Sequence, residues 1–486
     1  MAKDLWQKLD IREWGGVFFV VVLAFVLRIL WLPGNLFFGF EQGRDFLKLA
    51  EITSGNLALI GPGTDIPGIF HGALSYYVPL PFFLLFGGDP LWTQISFIAI
   101  NCAAIVFLYK AVKDLFNSRV ALVSSLFYAI SYSAIIYSRW LSNPTLVPAL
   151  TILILYFLVR AKKNNWSLVP MVLSWAVIFH LEIVAAITLV VPILAFLIFE
   201  KIRLNIKVVA ICLFSVLLVL SSYVVFDLKN DHILLNGLKN YISAPKSGTS
   251  DFRGSMDQFS NELTDNIYPE SRNVSLVIFW GMVVWVLAEV RKQKRNLLIL
   301  LFLLISPVAY FVYGMRPQRH FYIFVPIFLS ILFALFFDHL TRVRLGVMAV
   351  ALLIFVTVFN LKTYYQRVPN SVGNFIHHAQ RMYLSDEKAL IDYVYHDADG
   401  KMFSYDYYSI PYWKKESWQY LFSWYGRSKY GYLPEENRTD TFYVLIEPDE
   451  IQPPYQNEWY DKLGDHSTLI SFFESGKLKA EKRIVR

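Results

Sequence analysis

The chain has 486 residues, of which 56% are hydrophobic and only 17% charged, and its mean hydropathy is +0.43. This composition excludes an ordinary soluble protein and predicts an α-helical protein that crosses a membrane many times. The formal net charge of +7 comes from short basic clusters between apolar runs. Because such clusters are typical of cytoplasmic loops, binding to nucleic acid is not expected.

The apolar runs set the predicted topology. Eleven of them are long enough to cross about 30 Å of hydrocarbon, and they lie near residues 14–32, 91–109, 119–136, 144–160, 166–180, 183–199, 206–226, 273–290, 296–314, 320–338 and 343–360. A further run, Gly72 to Phe86, is ambiguous. If it crossed, the basic clusters at 160–163 and 291–295 would move to the outer face, against the positive-inside rule. We therefore predict about eleven transmembrane helices, a cytoplasmic N-terminus in the plasma (inner) membrane, and a re-entrant or interfacial helix at Gly72 to Phe86.

Two domains follow from this topology. Residues 1–360 form a transmembrane domain with two long outer loops, 33–90 and 227–272, and residues 361–486 form a small extracytoplasmic α/β domain. Within the second domain, the hydrophobic pattern predicts two helices, at Asp386 to Tyr395 and at Ser417 to Tyr425. It also predicts two strands, at Lys401 to Tyr405 and at Thr441 to Ile446. Its many aromatic residues are interpreted as a small core, although sugar faces or lipid headgroups would also suit them.

An acidic segment just after the first span is the first candidate site. Glu41 and Asp45 are four residues apart, so a helix would place them on one face with Arg44 adjacent. Two such carboxylates can divide the work of a general base from that of a metal-binding or orienting group. A salt-bridged surface helix would show the same spacing.

Four arginines lie on the predicted outer face, where few basic residues are expected: Arg44, Arg139, Arg316 and Arg319. Arginine binds phosphate through paired, charge-assisted hydrogen bonds, so all four are candidate ligands of an anionic headgroup. The alternative is that they pair with Glu41, Asp45 or Glu182, or reach phospholipid.

His180 and Glu182 flank the turn between the fifth and sixth spans. With His71 they could form a divalent-cation site, since imidazole and carboxylate are suitable ligands. The other interpretation is a polar pair that caps a helical hairpin. No cofactor is required by the sequence, but Glu41, Asp45, His180 and Glu182 are kept as candidate ligands of Mg²⁺ or Mn²⁺.

Taken together, these features resemble the GT-C superfamily of glycosyltransferases that use polyprenyl-phosphate sugars. The resemblance is to the branch containing protein O-mannosyltransferases and the aminoarabinose transferase of lipid A, and it covers roughly residues 14–340. The motifs that carry it are the acidic motif Glu41 to Asp45, the Pro-containing surface helix, the basic turn Asp114 to Arg119, the turn Arg139 to Pro144, and Arg316 to Arg319 before an aromatic-rich span.

The resemblance implies a GT-C fold and roles for individual residues. Glu41 takes the place of the catalytic acid, and His71 that of a basic residue opening the surface helix. His71 is therefore also a candidate ligand of the donor phosphate. Arg139 and Arg319 take the places of phosphate ligands. The chain departs from the family pattern in a set of three positions: Glu41 replaces the usual Asp, Gln42 the second acid, and Asn143 another acid found in some relatives.

The predicted function is that of a hexosyl- or pentosyltransferase. It would move a sugar from a polyprenyl-phosphate donor to a glycan, lipid or protein acceptor on the outer face of the membrane, with inversion. Membrane lipids are the other expected partners. The alternatives are a flippase or transporter of lipid-linked glycans and a receptor whose C-terminal domain binds glycans. The odd number of spans, without visible inverted halves, argues against a transporter.

Overall fold

The computed structural model describes residues 11–243, 252–289, 294–313, 317–369 and 382–486, and these are mostly helical. The sequence prediction for Arg316 falls outside these described residues, as does part of the outer loop at 227–272. Long apolar stretches form helices because a helix satisfies every backbone hydrogen bond within one segment, which is the requirement imposed by lipid.

The first three-quarters of the chain form a helical bundle with short surface elements. Its helices are α1 (Ile11–Ile29), α2 (Leu32–Asn35), α3 (Phe40–Thr53), α4 (Leu74–Tyr77), α5 (Leu80–Leu85), α6 (Pro90–Leu115), α7 (Ser118–Ile130), α8 (Tyr132–Arg139), α9 (Val147–Ala161), α10 (Leu168–Leu181), α11 (Ile183–Phe199), α12 (Ile206–Lys229), α13 (Ile233–Ser243), α14 (Phe252–Ile267), α15 (Arg272–Ala288), α16 (Asn296–Tyr313), α17 (Val325–Arg342) and α18 (Gly346–Arg367). A two-stranded antiparallel ribbon, β1 (Ile60–Gly63) and β2 (Phe70–Gly72), lies between α3 and α4.

Six helices among the described residues are long and apolar enough to cross a membrane, or eight if two bent pairs each count as one span. Each of the eleven predicted runs falls on a helix, but several of these helices are short, so the number eleven stays a prediction. One bent pair lies inside the predicted span 119–136, where α7 and α8 meet at 58°. The Oγ of Ser131 accepts a hydrogen bond from the backbone N–H of Ala134 at 3.2 Å and so begins a new helix there.

The ambiguous run Gly72 to Phe86 forms the two short helices α4 and α5, divided near Pro79. Together they extend over only residues 74–85. At 1.5 Å per residue this is about 18 Å, too short to cross about 30 Å of hydrocarbon. The segment therefore stays at one end of the bundle, which we call the site end because α3 lies there.

The C-terminal part contains a four-stranded mixed sheet and four helices. The helices are α19 (Leu384–Ala398), α20 (Glu416–Leu421), α21 (Arg427–Tyr430) and α22 (Pro453–His466), and the strands are β3 (Ser404–Tyr408), β4 (Thr441–Ile446), β5 (Ser467–Ser475) and β6 (Leu478–Val485). The strand order is β3-β4-β6-β5; β3 and β4 are parallel and the other pairs antiparallel. Both predicted helices and the predicted strand Thr441 to Ile446 coincide with elements here, whereas the predicted strand Lys401 to Tyr405 overlaps β3 only at Ser404 and Tyr405. The helix α22 and the β5–β6 hairpin were not predicted.

This C-terminal part packs directly on α3. A Cβ added at Gly43 would lie 2.3 Å from the backbone nitrogen of Ser417, so the two helix backbones touch where only glycine fits. The Nε1 of Trp424 donates to the carbonyl of Gly87 at 2.8 Å, and the hydroxyl of Tyr420 donates to that of Gly88. The position of α3 is therefore set jointly by the bundle and by the C-terminal part.

Candidate active site

The start of α3 is fixed by a buried glutamine. The Oε1 of Gln42 accepts from the backbone N–H of Gly39 at 3.1 Å, and its Nε2 donates to the carbonyl of Leu141 at 2.7 Å. Gln42 is only 2% exposed. A second acid at this position would lose the bond to Leu141, since a carboxylate has no proton to donate. The amide thus holds the first turn of α3 against the segment after α8.

Glu41, Arg44 and Asp45 form the charged cluster predicted from the sequence, and all three lie on α3. The Nε of Arg44 donates to Oδ1 of Asp45 at 2.8 Å. The side chain of Glu41 is exposed to water, although many protein atoms lie around its carboxylate. Burial raises the pKa of Glu41 above its usual range, and Arg44 partly opposes this shift. Glu41 is therefore the acid left free to take up a proton, because Asp45 is engaged by Arg44.

His71 lies on β2, close to Arg44. Its Nδ1 is buried and makes no hydrogen bond to any residue that the structure describes. Burial, helped by the charge of Arg44, lowers the pKa of His71 to about 4. The imidazole is therefore neutral at physiological pH, so its predicted role in binding phosphate would rest on a hydrogen bond and not on charge.

A small cavity of about 30 Å³ runs beside the cluster, and Asp45 and Asn143 both line it, as do Gln42, Ser75 and Ser142. The structure thus brings Asn143 and Asp45 to one place, although they are far apart in the chain. This volume holds water but not a sugar. A sugar bound here would require α3 and the segment after α8 to separate.

Glu182 belongs to a second group of polar residues that the sequence analysis saw only in part. Its Oε2 lies 3.7 Å from Nε2 of His320, and both side chains are largely buried. Burial raises the pKa of Glu182 to about 8 and lowers that of His320 to about 3. At neutral pH the pair is therefore uncharged. His320 follows directly on Arg316 to Arg319, but nothing in that segment indicated that it would face Glu182.

His180 has a structural role in this structure. Its Nε2 lies 2.9 Å from the carbonyl of Val219, and its Nδ1 accepts from the backbone N–H of Leu74 at 3.4 Å. Both nitrogens are used, so His180 does not fit a metal ligand here. Asp45 pairs with the cation of Arg44. Within the described ranges, no three His, Cys, Asp or Glu side chains come together as a metal-binding group. The binding of Mg²⁺ or Mn²⁺ by Glu41, Asp45 and Glu182 stays a prediction.

Two predicted phosphate ligands are held by the protein itself. The guanidinium of Arg139, 1% exposed, donates to the carbonyl of Leu30 at 2.8 Å and to Oδ1 of Asn35 at 2.6 Å. A contact with phosphate would require these bonds to break, so the structure does not bring Arg139 to the cluster. Arg319 pairs with Asp265 and with Glu262, the latter at 3.4 Å. These acids come from α14 and are not the ones that the sequence analysis considered.

The C-terminal part contributes a cation that the sequence analysis missed. The Nζ of Lys414 lies 5.0 Å from the centre of the Phe40 ring, and the guanidinium of Arg44 lies 5.5 Å from the same ring. The ring therefore stands between two positive charges, and Lys414 is exposed and makes no ion pair among the described residues. No local signal could reveal this, because the two parts of the chain are about 370 residues apart.

Residues 71–226, about a third of the chain, match the family described as dolichyl-phosphate-mannose-protein mannosyltransferase. The structure is similar to that of ArnT from Cupriavidus metallidurans, solved with bound undecaprenyl phosphate, with a TM-score of 0.57, 11% identity, and coverage of 96% of this chain and 98% of that one. The resemblance to the GT-C superfamily is confirmed. The oligosaccharyltransferase of Archaeoglobus fulgidus, solved with a tethered acceptor peptide, gives a TM-score of 0.51 at 12% identity, with coverage of 84% of this chain and 63% of that one.

At these identities, the structural matches establish the fold. They agree with the apolar helices in showing a multi-pass membrane protein. No curated protein sequence matches the chain. The matched family segment begins at His71 and includes Arg139, Asn143, His180 and Glu182, but it does not include Glu41.

Proposed function

We propose that the protein transfers a sugar from a polyprenyl-phosphate donor to an acceptor at the outer face of the membrane, with Glu41 as the general base. The observation that carries this proposal is the water-accessible carboxylate of Glu41 beside Arg44, on a helix at one end of the membrane bundle. The fold supports it, because ArnT has the same fold and binds undecaprenyl phosphate. The second structural neighbour holds an acceptor peptide, which is the other partner that such a reaction needs.

The proposed topology has eleven crossings, with the site end outside. The basic clusters support this orientation: Lys110 to Arg119, Arg160 to Lys163, Lys201 to Lys207 and Arg342 to Arg344 lie at the ends of α6, α9, α11 and α17 that are opposite α3. By the positive-inside rule that end faces the cytoplasm. The shorter apolar helices α10, α11 and α16 would then cross as well, with the help of tilted neighbours and a locally thinner bilayer.

In the proposed reaction, an acceptor hydroxyl or amine attacks the anomeric carbon of the donor. Its proton passes to the carboxylate of Glu41 as the bond between the anomeric carbon and the phosphate oxygen breaks. A single displacement of this kind inverts the anomeric centre, and the polyprenyl phosphate leaves with the bonding electron pair. The raised pKa of Glu41 suits this role, since a base is most effective when its pKa approaches the working pH.

The leaving phosphate needs positive charge and hydrogen-bond donors at the moment when its own charge develops. Arg44 is the cation best placed for this, since only its Nε is used by Asp45 and its side chain is 30% exposed. Asp45 would orient Arg44 and keep its guanidinium turned toward the leaving phosphate. Lys414 would add a second charge from the C-terminal part.

The test is the substitution Glu41→Gln, which removes the base but keeps the shape of the side chain. We expect transfer to fall by about 10²- to 10⁴-fold, the usual contribution of a positioned base, with unfolding temperature unchanged. The matched control is Glu51→Gln, since Glu51 lies on the same helix but is exposed and pairs only with Lys48 at 2.7 Å. Product formation from a radiolabelled polyprenyl-phosphate sugar in proteoliposomes is the measurement.

Two outcomes would contradict the proposal. Near-normal transfer by the Glu41→Gln protein would remove Glu41 from the mechanism. Movement of the labelled lipid across the bilayer by the unchanged protein, without any covalent product for all acceptors tried, would instead favour a flippase.

A further inference from the structure

A second cavity lies at the end of the bundle opposite α3. Its volume is about 710 Å³, far larger than the cavity beside Asp45. Five parts of the bundle enclose it: the α6–α7 turn, the ends of α11, α15 and α17, and the start of α16. Helix α6 reaches both cavities, with Phe97 at the one beside Asp45 and Leu115 at this one. These two residues are 18 positions apart, which corresponds to about 27 Å along the helix at 1.5 Å per residue. This cavity has no part in the proposed transfer.

Positive charge is in excess around this cavity because each of its two carboxylates is shared by two cations. Glu200 pairs with Lys162 and with Arg295, whose Nε lies 2.9 Å from Oε1. Asp338 pairs in the same way with two arginines: Arg342 at 2.6 Å and Arg119 at 3.8 Å. Lys294 also lines the cavity and makes no ion pair among the described residues. Three cations and two carboxylates therefore line the cavity itself, and Lys162 and Arg119 add two more positive charges beside the same carboxylates.

The carboxylates lie beneath the cations. Their side chains are 7% and 9% exposed, whereas those of Arg295 and Arg342 are 44% and 56% exposed. Each buried acid therefore fixes one edge of a guanidinium. Arg295 also donates from Nη1 to the carbonyl of Leu115 at 3.0 Å, so its Nη2 is the nitrogen without a partner among the described residues. Arg342 uses Nη2 for Asp338, and its Nε and Nη1 have no partner among those residues. Fixed guanidiniums with free donors are the usual arrangement for binding phosphate in pairs of hydrogen bonds.

Apolar side chains complete the wall together with three polar ones, Asn117, Asn296 and His339, and the cavity lies where apolar helices end. Phe116, Phe199 and Leu335 line the cavity together with the charged residues. Phe199 is the last residue of α11 and is 38% exposed. A wall with a basic rim and exposed aromatic rings at the membrane boundary matches a ligand with a phosphate head and a hydrocarbon tail.

We propose that this cavity binds the phosphate headgroup of an anionic lipid, drawn from the leaflet opposite the catalytic site. Arg295, Arg342 and Lys294 hold the phosphate, and the aromatic wall receives the first part of the acyl chains. A soluble phosphate ester carries the same head chemistry but lacks the tail, so the experiment must separate the two sources.

The first test uses the unchanged full-length protein in detergent. Native mass spectrometry would compare phosphatidylglycerol with phosphatidylcholine of the same chain length, and we expect the anionic lipid to bind about tenfold more tightly or better, equivalent to about 1.4 kcal/mol. A photoactivatable phosphatidylglycerol should label peptides that contain Phe116 or Phe199. Glycerol phosphate in equal concentration should not displace the lipid.

The second test uses the double variant Arg295→Gln with Arg342→Gln. Folding should survive, because Lys162 still neutralises Glu200 and Arg119 still neutralises Asp338. We expect phosphatidylglycerol to bind about tenfold more weakly or worse, since two charge-assisted hydrogen-bond donors are lost. The control is Arg344→Gln, an exposed arginine that does not line the cavity, and its binding should stay within about twofold.

Three results would overturn the proposal. Equal binding of the two lipids would show no recognition of the anionic head. Equal weakening by Arg344→Gln and by the double variant would show attraction to surface charge in general. Displacement by glycerol phosphate at equal concentration would show a site for a soluble phosphate ester and not for a lipid. The first and third results need no variant, so they decide the matter even if the double variant fails to fold.

Discussion

The contact between Gly43 and Ser417 provides a sharp prediction about the site, because it can be changed without touching a charged residue. In the substitution Gly43→Ala, the new methyl group would lie 2.3 Å from the backbone nitrogen of Ser417 and 2.4 Å from its Cα. Both neighbours are backbone atoms and cannot rotate away. Ordinary contacts begin near 3.4 Å, so α3 and α20 must separate by about 1 Å.

That displacement acts on Glu41, the proposed general base. Glu41 and Asp45 lie within two residues of Gly43, so they move with the first turn of α3. A misplacement of about 1 Å in a catalytic site can cost about 10²-fold in rate. Overpacking of this kind also costs about 1–3 kcal/mol of folding free energy. We therefore expect Gly43→Ala to lower transfer by about 10²-fold and to lower the unfolding temperature by several degrees.

The assay is sugar transfer in proteoliposomes, together with thermal unfolding followed by intrinsic tryptophan fluorescence. Gly34→Ala is the matched control, since a Cβ added at Gly34 meets no atom within 4 Å. This second protein should transfer sugar at the normal rate. Unchanged transfer and unchanged stability in Gly43→Ala would refute the reasoning, because they would mean that the C-terminal part does not hold α3 in place.

Two further predictions concern residues near the site. Burial raises the pKa of Glu182 to about 8. The folded protein therefore keeps a proton on Glu182 that the unfolded chain releases above about pH 4.5. The free energy of unfolding should fall as the pH rises from about 5 through 8. The free energy of unfolding of the Glu182→Gln protein, measured with denaturant from pH 5 to 9, should lack this decrease. If it depends on pH as steeply as that of the unchanged protein, Glu182 does not titrate in this way. Lys414→Gln should lower kcat/KM for the donor by about three- to tenfold, because one charge-assisted contact with the phosphate is lost. Lys415→Gln, on the exposed neighbour, is its control in steady-state kinetics, and equal effects of the two would remove Lys414 from donor binding.

The elements that the sequence predicts well are those with a local cause. An apolar run becomes a helix because lipid leaves the backbone no other way to satisfy its hydrogen bonds, and each predicted run lies on a helix. The helix that the argument from Glu41 and Asp45 assumed is present as α3, and their spacing of four residues is a relation within about one turn.

The site itself depends on contacts between distant segments, and there the sequence was a weaker guide. Arg139 and Arg319 have the residue type expected for phosphate, but their partners, Asn35 on α2 and the acids of α14, come from other helices. His180 was considered for metal because nothing local revealed that Val219 and Leu74 would occupy its two nitrogens. Residue types can be read directly from a sequence, whereas the hydrogen-bond or ion-pair partner of a side chain depends on how distant segments pack.

The close approach of Ser417 to Gly43 also has a consequence for how the protein is made. The ribosome completes α3 early. The residues that contact α3 and the loop before α6 are added about 380 residues later; they are Ser417, Tyr420 and Trp424. At about 5–20 residues per second this delay is roughly 20 to 80 s. During that time the growing chain has its acidic motif in the membrane without the contacts that position it. Sugar transfer should therefore begin only after the last quarter of the chain has folded, so an interrupted chain is an inactive one.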